Sequence, residues 1–300
     1  MSHSISGYHA AMMNENKRSF GYAPCFRDFP HFECERRIFP LDFALKELLL
    51  DSYQIINRSH TSHFYYFLPD GCVNLIFTFG QNSANQGYIL GPLSQGRKLQ
   101  IPSCSAIFCL RLQPASVDWL NIIPACELRD EVFPLEHYIK NSATLLSELN
   151  RAESFHERII FAMHTLNANN AARYIRLPLI ANCVNEINDL NGIVKISELA
   201  QKMGCCTRYL DLLFQKHVGL STKNYSDIIR FQYTLKCILE QKDRSLLDIA
   251  IDSDFFDQAH MNRNFKKITR TTTSFFRKHY NILEQCLNRF DTIDLTNMEA

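Results

Sequence analysis

The chain has 300 residues, 46% of them hydrophobic and 21% charged, and a formal net charge of +1. That length corresponds to about two ordinary domains, and the lack of any run of about 18 uncharged apolar residues excludes a helix that could satisfy its backbone across a bilayer. Eleven cysteines are scattered without a C-x-x-C pair, so they read as small buried hydrophobes and reduced thiols, not as a zinc ribbon, a redox centre or a disulfide frame.

Met1 to Phe20 is polar and rich in His, Asn and Ser. Residues 1–20 therefore read as a flexible leader without the apolar stretch of a secretory signal, and the cytoplasm is the expected location. Residues 21–166 read as a β-rich domain with helices at its end. His63–Gly80 (HFYYFLPDGCVNLIFTFG) holds two aromatic and β-branched runs around Pro69-Asp70-Gly71, a turn signal. Gly91-Pro92 punctuates the next segment, and Lys98–Leu112 adds two runs split by Pro102 and Ser103. Short strands at this spacing predict a small sandwich or barrel-like sheet. After Pro114 the pattern turns helical, with Val117, Leu120 and Ile123 at spacing three. Ala143 to Leu166 then repeats Leu145, Leu146, Leu149 and Ile159, Ile160, Met163. Residues 167–176, opening on NANNAA, read as a linker.

Little catalytic chemistry is visible in this half. His60-x-x-His63 reads as loop histidines, because i and i+3 of a strand point to opposite faces. Trp119 reads as a packing residue. No G-x-S-x-G, P-loop or G-x-G-x-x-G is present, so no enzyme, metal or cofactor is expected. Arg111 lies inside an apolar strand and would be costly if buried unpaired. It predicts a structural carboxylate partner, and it is also the one candidate for contact with an acidic effector.

From Leu177 the chain reads all-helical, with a domain over 177–283 and a tail over 284–300. It contains a repeat. Ala200 matches Ala250 at an offset of 50, while Phe214, Lys216 and Thr222 match Phe265, Lys267 and Thr273 at an offset of 51. In the first unit Ile196, Leu199, Ala200 and Met203 form a short amphipathic helix, which ends at Gly204, where the chain needs a positive φ. A second helix starts at Cys206 or Thr207, burying Tyr209, Leu210, Leu213 and Phe214. In the second unit Leu246, Ile249 and Ala250 pack the first helix, Asp254 takes the turn position, and a helix from about Asp257 buries Met261, Phe265 and Ile268. The small Ala at each crossing suits a helix-turn-helix. Between the units, Ser221–Glu240 is a long amphipathic helix spanning roughly 30 Å at 1.5 Å per residue, close to one DNA turn of about 34 Å.

Charge supports a polyanion partner. Residues 176–280 carry 16 Lys/Arg against 11 Asp/Glu, and residues 258–280 carry six basic residues and no acidic one.

At these residues the C-terminal hundred residues resemble the DNA-binding domain of the AraC/XylS family of bacterial transcription regulators. The matching pieces are Glu198-Leu199-Ala200, Arg208-Tyr209-Leu210, Phe214-Gln215-Lys216, Gly219, Arg230, Asp248-Ile249-Ala250, Phe255, Arg263-x-Phe265-Lys266-Lys267 and Phe276-Arg277. In the first half, Pro69 to Phe77, Gly91-Pro92, Phe108 to Pro114 and Glu127-Leu128-Arg129-Asp130 resemble the N-terminal domain of one AraC-type branch, a sensing or dimerising module.

The resemblance implies an α+β protein: a β-rich regulatory domain followed by two helix-turn-helix units joined by a long helix. It implies base-reading positions at Arg208, Asp211, Leu212, Gln258, His260, Asn262 and Arg263, and phosphate contacts at Lys216, Lys266, Lys267, Arg270 and Arg277. It also implies double-stranded DNA and RNA polymerase as partners, an effector or a second copy at the N-terminal domain, no membrane, and the role of an activator.

The departures fall in both units, and those at Leu212 and Cys206 weaken the first. Leu212 stands where the family often has arginine, Cys206 replaces a serine cap at a cost of ~1 kcal/mol, Asp254 and Arg270 replace glycines, and Thr222 and Thr273 replace prolines. The second unit is thus expected to carry most of the affinity. Two other classes fit less of the sequence. One is an interaction or co-regulatory protein with degenerate DNA binding, which Leu212 would suit. The other is an alkylation-repair methyl-transfer protein, which would need a cysteine cluster that scattered cysteines do not supply.

Overall fold

Alternation of apolar side chains governs the first half. The structure, a computed structural model, describes residues 31–39, 45, 47–80, 85–120, 124–168, 177–279, 291–293 and 295. The leader, Ile123 and the segment 169–176 of the expected linker lie outside the described residues. Strands β1 (Phe32–Ile38), β2 (Leu49–Asn57), β3 (His63–Phe67), β4 (Asn74–Gly80), β5 (Gln86–Leu90), β6 (Arg97–Ile101), β7 (Ser105–Leu112) and β8 (Val132–Pro134) build two sheets. The larger has the order β1-β2-β7-β4-β5-β8, antiparallel throughout. On one of its faces Leu75, Phe77, Phe79, Phe108, Leu110 and Leu112 pack against helices. On the other, Ile76, Ile107 and Cys109 pack against the smaller sheet. A period of two along each strand produces this division.

The turn at Pro69-Asp70-Gly71 is not a hairpin. It joins β3 to β4, which lie in different sheets, and so makes a corner. Gly71 takes φ +76 there, and the Asp70 carboxylate accepts from the Cys72 N–H at 2.9 Å. The strand β2 was not among the expected ones, because its buried Asp51, Ser52, Gln54 and Asn57 break the apolar pattern that marks a strand.

Of these, Asp51 serves Arg111, while Gln54 donates to Glu35 and Asn57 to the Ile101 and Pro102 carbonyls. The Arg111 Nε and Nη2 donate to the two oxygens of Asp51, each at 2.9 Å, and its Nη1 donates to Asp70 at 2.7 Å. Arg36 also pairs with Asp51, whose side chain is 0% exposed. Arg111 is therefore held by structural carboxylates, the partner that its place in an apolar strand predicted.

The helices that follow are shorter than their periodicity suggests. Where a helix over Val117 to Ile123 was expected, a single 3-10 turn spans Val117–Leu120. After it comes the short α1 (Ala125–Leu128). The stretch from Ala143 to Leu166 divides into α2 (Ser142–Arg151) and α3 (Phe155–Ala168). Ala152 is extended between them, and the Ser154 hydroxyl accepts from the Glu157 N–H at 3.2 Å, starting a new helix.

The second half is helical: α4 (Pro178–Asp189), α5 (Ile196–Lys202), α6 (Thr207–Val218), α7 (Thr222–Glu240), α8 (Leu246–Asp252), α9 (Gln258–Thr269) and α10 (Thr273–His279). Two helix-turn-helix units, α5–α6 and α8–α9, flank the connector α7. Their turns use Gly204 at φ +69 and Asp254 at φ +57. Because a side chain in that region costs about 1 kcal/mol, Asp254→Gly is expected to raise stability by about that amount, read as a higher thermal midpoint.

The connector is buried nearly all round. Its expected apolar face is inside, and so are Ser226, Arg230, Phe231, Gln232, Thr234 and Cys237. The β domain covers part of that second side, and the helices cover the rest: Ser226 donates to the Gly192 carbonyl at 2.8 Å and the Phe231 ring lies against Phe265. The Gln232 amide donates to the Pro69 carbonyl, and a Cβ on Gly71 would lie 2.4 Å from the Tyr225 ring. One continuous core runs from Tyr65, Tyr66 and Leu99 of the smaller sheet through Phe231 of the connector to Met261 and Phe265 of the second unit. The expected tail also joins it. Strand β9 (Asp291–Thr292) pairs parallel with β6, Ile293 is buried, and the Tyr88 hydroxyl donates to the Leu295 carbonyl at 3.1 Å.

Candidate nucleic-acid interface

In a helix-turn-helix the N-terminal end of the second helix enters the major groove, so its cap and exposed face define the site. Asp257 caps α9, its side chain accepting from the His260 N–H at 2.6 Å. Cys206 occupies the same place on α6 and its side chain makes no capping bond. The first recognition helix thus starts unsupported and the second does not.

On α6, Arg208 is exposed, as are Lys216 and Leu212, at 57%. Tyr209 was expected inside but is half exposed. The buried residues are Leu210, Phe214, His217 and Val218, and Tyr209 lies about 100° around the helix from Leu210. On α9, Arg263, Lys266 and Lys267 are exposed, and Gln258 and His260 are half-buried. The His260 ring meets the edge of Phe255 at 5.3 Å.

Two expected base readers have another use. Asp211 accepts from the Thr222 N–H at 2.9 Å and from the Gln215 amide at 2.9 Å. At the matching position of the second unit, Asn262 Oδ1 accepts from the Thr273 N–H at 3.0 Å and from its hydroxyl at 2.6 Å. Each side chain caps the helix that follows its recognition helix. A paired contact to adenine needs both ends of an amide, so Asn262 would have to release its cap to make one. Proline at 222 or 273 has no N–H to donate, which explains the threonines there.

Two expected phosphate contacts are likewise engaged. Arg270, at φ +58, closes the end of α9 and pairs with Asp291 at 2.5 Å. Arg277 is half-buried and donates to the Arg244 carbonyl at 2.7 Å, and burial holds its guanidinium below the usual arginine range.

Three supports were not visible in the sequence. Arg230 stacks on Phe255, 4.5 Å from the ring centre, is tied to Asp227 at 2.8 Å, and so braces the turn of the second unit. His217 near the end of α6 pairs with Asp118, and the Gly96 N–H donates to the Ile268 carbonyl at 3.0 Å. The last two hold the β domain against the C-terminal ends of both recognition helices, leaving the groove-entering ends on the other side.

A family model described as a helix-turn-helix domain matches residues 199–279, and one described as a domain of unknown function matches residues 44–134. Over 89 residues the chain is 35% identical to the probable transcription factor PqrA of Proteus vulgaris, covering 30% of this chain and 72% of that protein. The chain belongs to the AraC/XylS family. As an AraC/XylS protein it is a DNA-binding transcription regulator. The transposon Tn10 TetD protein of Escherichia coli is 28% identical over 94 residues, 31% of this chain and 66% of that one. ToxT of Vibrio cholerae aligns at 11% identity over 83% of this chain and 98% of its own, with a TM-score of 0.37. The C-terminal domain of AraT, a response regulator of Geobacillus stearothermophilus, aligns at 15% over 40% and 92%, with a TM-score of 0.32. Structural overlap at this level carries no argument about this AraC/XylS chain. Among the described residues no helix is long and apolar enough to cross a membrane.

Proposed function

We propose that this regulator is an activator that reads two successive major grooves on one face of the duplex, with the second helix-turn-helix supplying most of the affinity. The observation that carries the reading is the placement of the two recognition helices. Both show their N-terminal ends to solvent, and they are joined by the 19-residue α7, about 28 Å long at 1.5 Å per residue against a DNA turn of about 34 Å. Two such units in one chain can read two grooves without a second copy. Activation is the commoner role in the family, and RNA polymerase is the partner it entails. The β domain supplies the sensing module.

The ranking of the two units rests on cap and chemistry. The second unit has a capped helix and Arg263 for guanine, with Lys266 and Lys267 for phosphates. The first has an uncapped helix, Leu212 at the groove and Asp211 committed to α7. With genomic fragments at about 150 mM salt, where non-specific binding is weakened, the wild type is expected to enrich a few sites. Arg263→Ala should lose about tenfold to a hundredfold in affinity, and Arg208→Ala less. Equal losses would remove the ranking, and no enrichment by the wild type would favour an interaction protein with degenerate DNA binding.

A further inference from the structure

We propose that Phe256 is a groove-reading residue that recognises a thymine methyl, a specificity contact added to the second unit. The inference rests on α9 being a DNA-reading helix.

Phe256 is 91% exposed, the highest value among the exposed large hydrophobics of the described residues. It immediately precedes the cap Asp257, where an apolar residue usually folds back onto the fourth helical residue as a staple. That residue is Met261, itself wholly buried, and Phe256 does not cover it. Its neighbour Phe255 turns inward instead, 4% exposed, between Arg230 and His260. The chain bends at Phe256 and Asp257 before the helix begins, and the two adjacent rings go opposite ways, one inside and one to solvent. With Phe255 anchored inside, Phe256 is held out at the end of the helix that enters the groove.

The chemistry of the partner follows from the side chain. A phenyl ring offers no donor or acceptor. Of the features that the four bases present in the major groove, the C5-methyl of thymine is the apolar one. Ala259, exposed one turn along, extends the same apolar contact. In the first unit Cys205 matches Phe255, each N–H bonding the carbonyl of the Ala five residues before it, and Cys206 matches the cap Asp257. Phe256 is thus the residue inserted in the second unit, and the device belongs to that unit alone. Leu247 and Ile251, also exposed, lie on α8, the helix that in such units crosses the DNA backbone. A protein docking on them together with Phe256 is the competing occupant.

The test uses the full chain and a duplex recovered by fragment enrichment, in which each thymine is replaced singly by deoxyuridine, which keeps base pairing and removes the methyl. Wild type is expected to lose about threefold to tenfold in affinity at one or two positions. Phe256→Ala should lose a similar factor on the thymine duplex and become indifferent to deoxyuridine at one of them, while Leu212→Ala stays sensitive there. Phe256→Leu should recover part of the affinity. The proposal is overturned if the wild type binds the duplex but ignores every deoxyuridine. It is equally overturned if Phe256→Ala keeps the wild-type pattern, or keeps full DNA affinity while losing transcription, which would be the mark of protein docking. Failure of the wild type to bind any duplex overturns this inference and the DNA-reading of α9 together, and is distinguished by that.

Discussion

Replacing Asp51 by alanine is expected to cost about 3–5 kcal/mol of stability, enough to leave much of a marginal domain unfolded. The carboxylate is wholly buried and accepts from both Arg111 and Arg36. Its removal takes a buried carboxylate from two guanidiniums, of which Arg111 keeps Asp70. An uncompensated buried charge is what makes such a change severe. Exchanging the whole group for apolar side chains is tolerated far better, so Arg111→Met in the Asp51→Ala background should recover part of the loss.

The same group sets an acid limit. Burial alone would raise the Asp51 carboxyl, but Arg111 and Arg36 overcome that and hold it below the usual carboxylate range. A depressed folded value gives stability that is present above the unfolded value of about 4 and is lost as pH falls through the folded one. Urea midpoints should therefore decline below about pH 4, with a flatter decline in Asp51→Asn. A midpoint unchanged in Asp51→Ala at neutral pH would show that the network contributes nothing.

The second large effect is expected at Gly219. It ends α6 at φ +84, and a Cβ there would lie 2.4 Å from the Ala125 carbonyl oxygen and 2.8 Å from Pro92. Gly219→Ala combines the left-handed penalty with a clash against backbone, together about 2–4 kcal/mol. Relief requires α1 and Pro92 to move off the end of α6. Gly204→Ala is the matched control, since it shares the positive φ but has nothing within 4 Å of the added carbon. Thermal midpoints of the two variants separate clash from strain. Faster amide exchange over Ala125–Leu128 in the Gly219 variant alone would establish that this contact holds the β domain to the first recognition helix.

Much of this was legible because it is periodic. The two helix-turn-helix units follow from apolar spacing and from a repeat that survives the loss of its glycines. Asp254 and Arg270 both take the positive φ that their positions in the repeat demand. The family-atypical threonines at 222 and 273 were legible as departures, but not their reason, which is a cap delivered across eleven residues. What escaped was polar chain that becomes interior. In β2, Asp51, Ser52, Gln54 and Asn57 interrupt the apolar pattern, and only the fold places Arg111 beside Asp51 and the Ile101 and Pro102 carbonyls beside Asn57. On α7, helical period reports one buried side, yet Ser226, Gln232 and Thr234 off that side are buried too, Ser226 against the Gly192 carbonyl and Gln232 against the Pro69 carbonyl. The base readers illustrate a further limit. Residue type and position pointed Asp211 and Asn262 at DNA, and only coordinates reveal that their oxygens are already occupied.

The strand β9 imposes an order on synthesis. The sheet of β3 and β6 gains its third strand only after both helix-turn-helix units have been made, because roughly 190 residues separate Ile101 from Asp291. At translation rates of about 5–20 residues per second, the emerging β domain waits on the order of ten to forty seconds for its last edge partner. Over that interval the unpaired edge of β6 is open to whatever else in the cell can add a strand. The finished chain closes that edge with a segment that also pairs with the end of the second recognition helix, so completion of the sheet and seating of the DNA-binding half are one event in the ribosome's timetable.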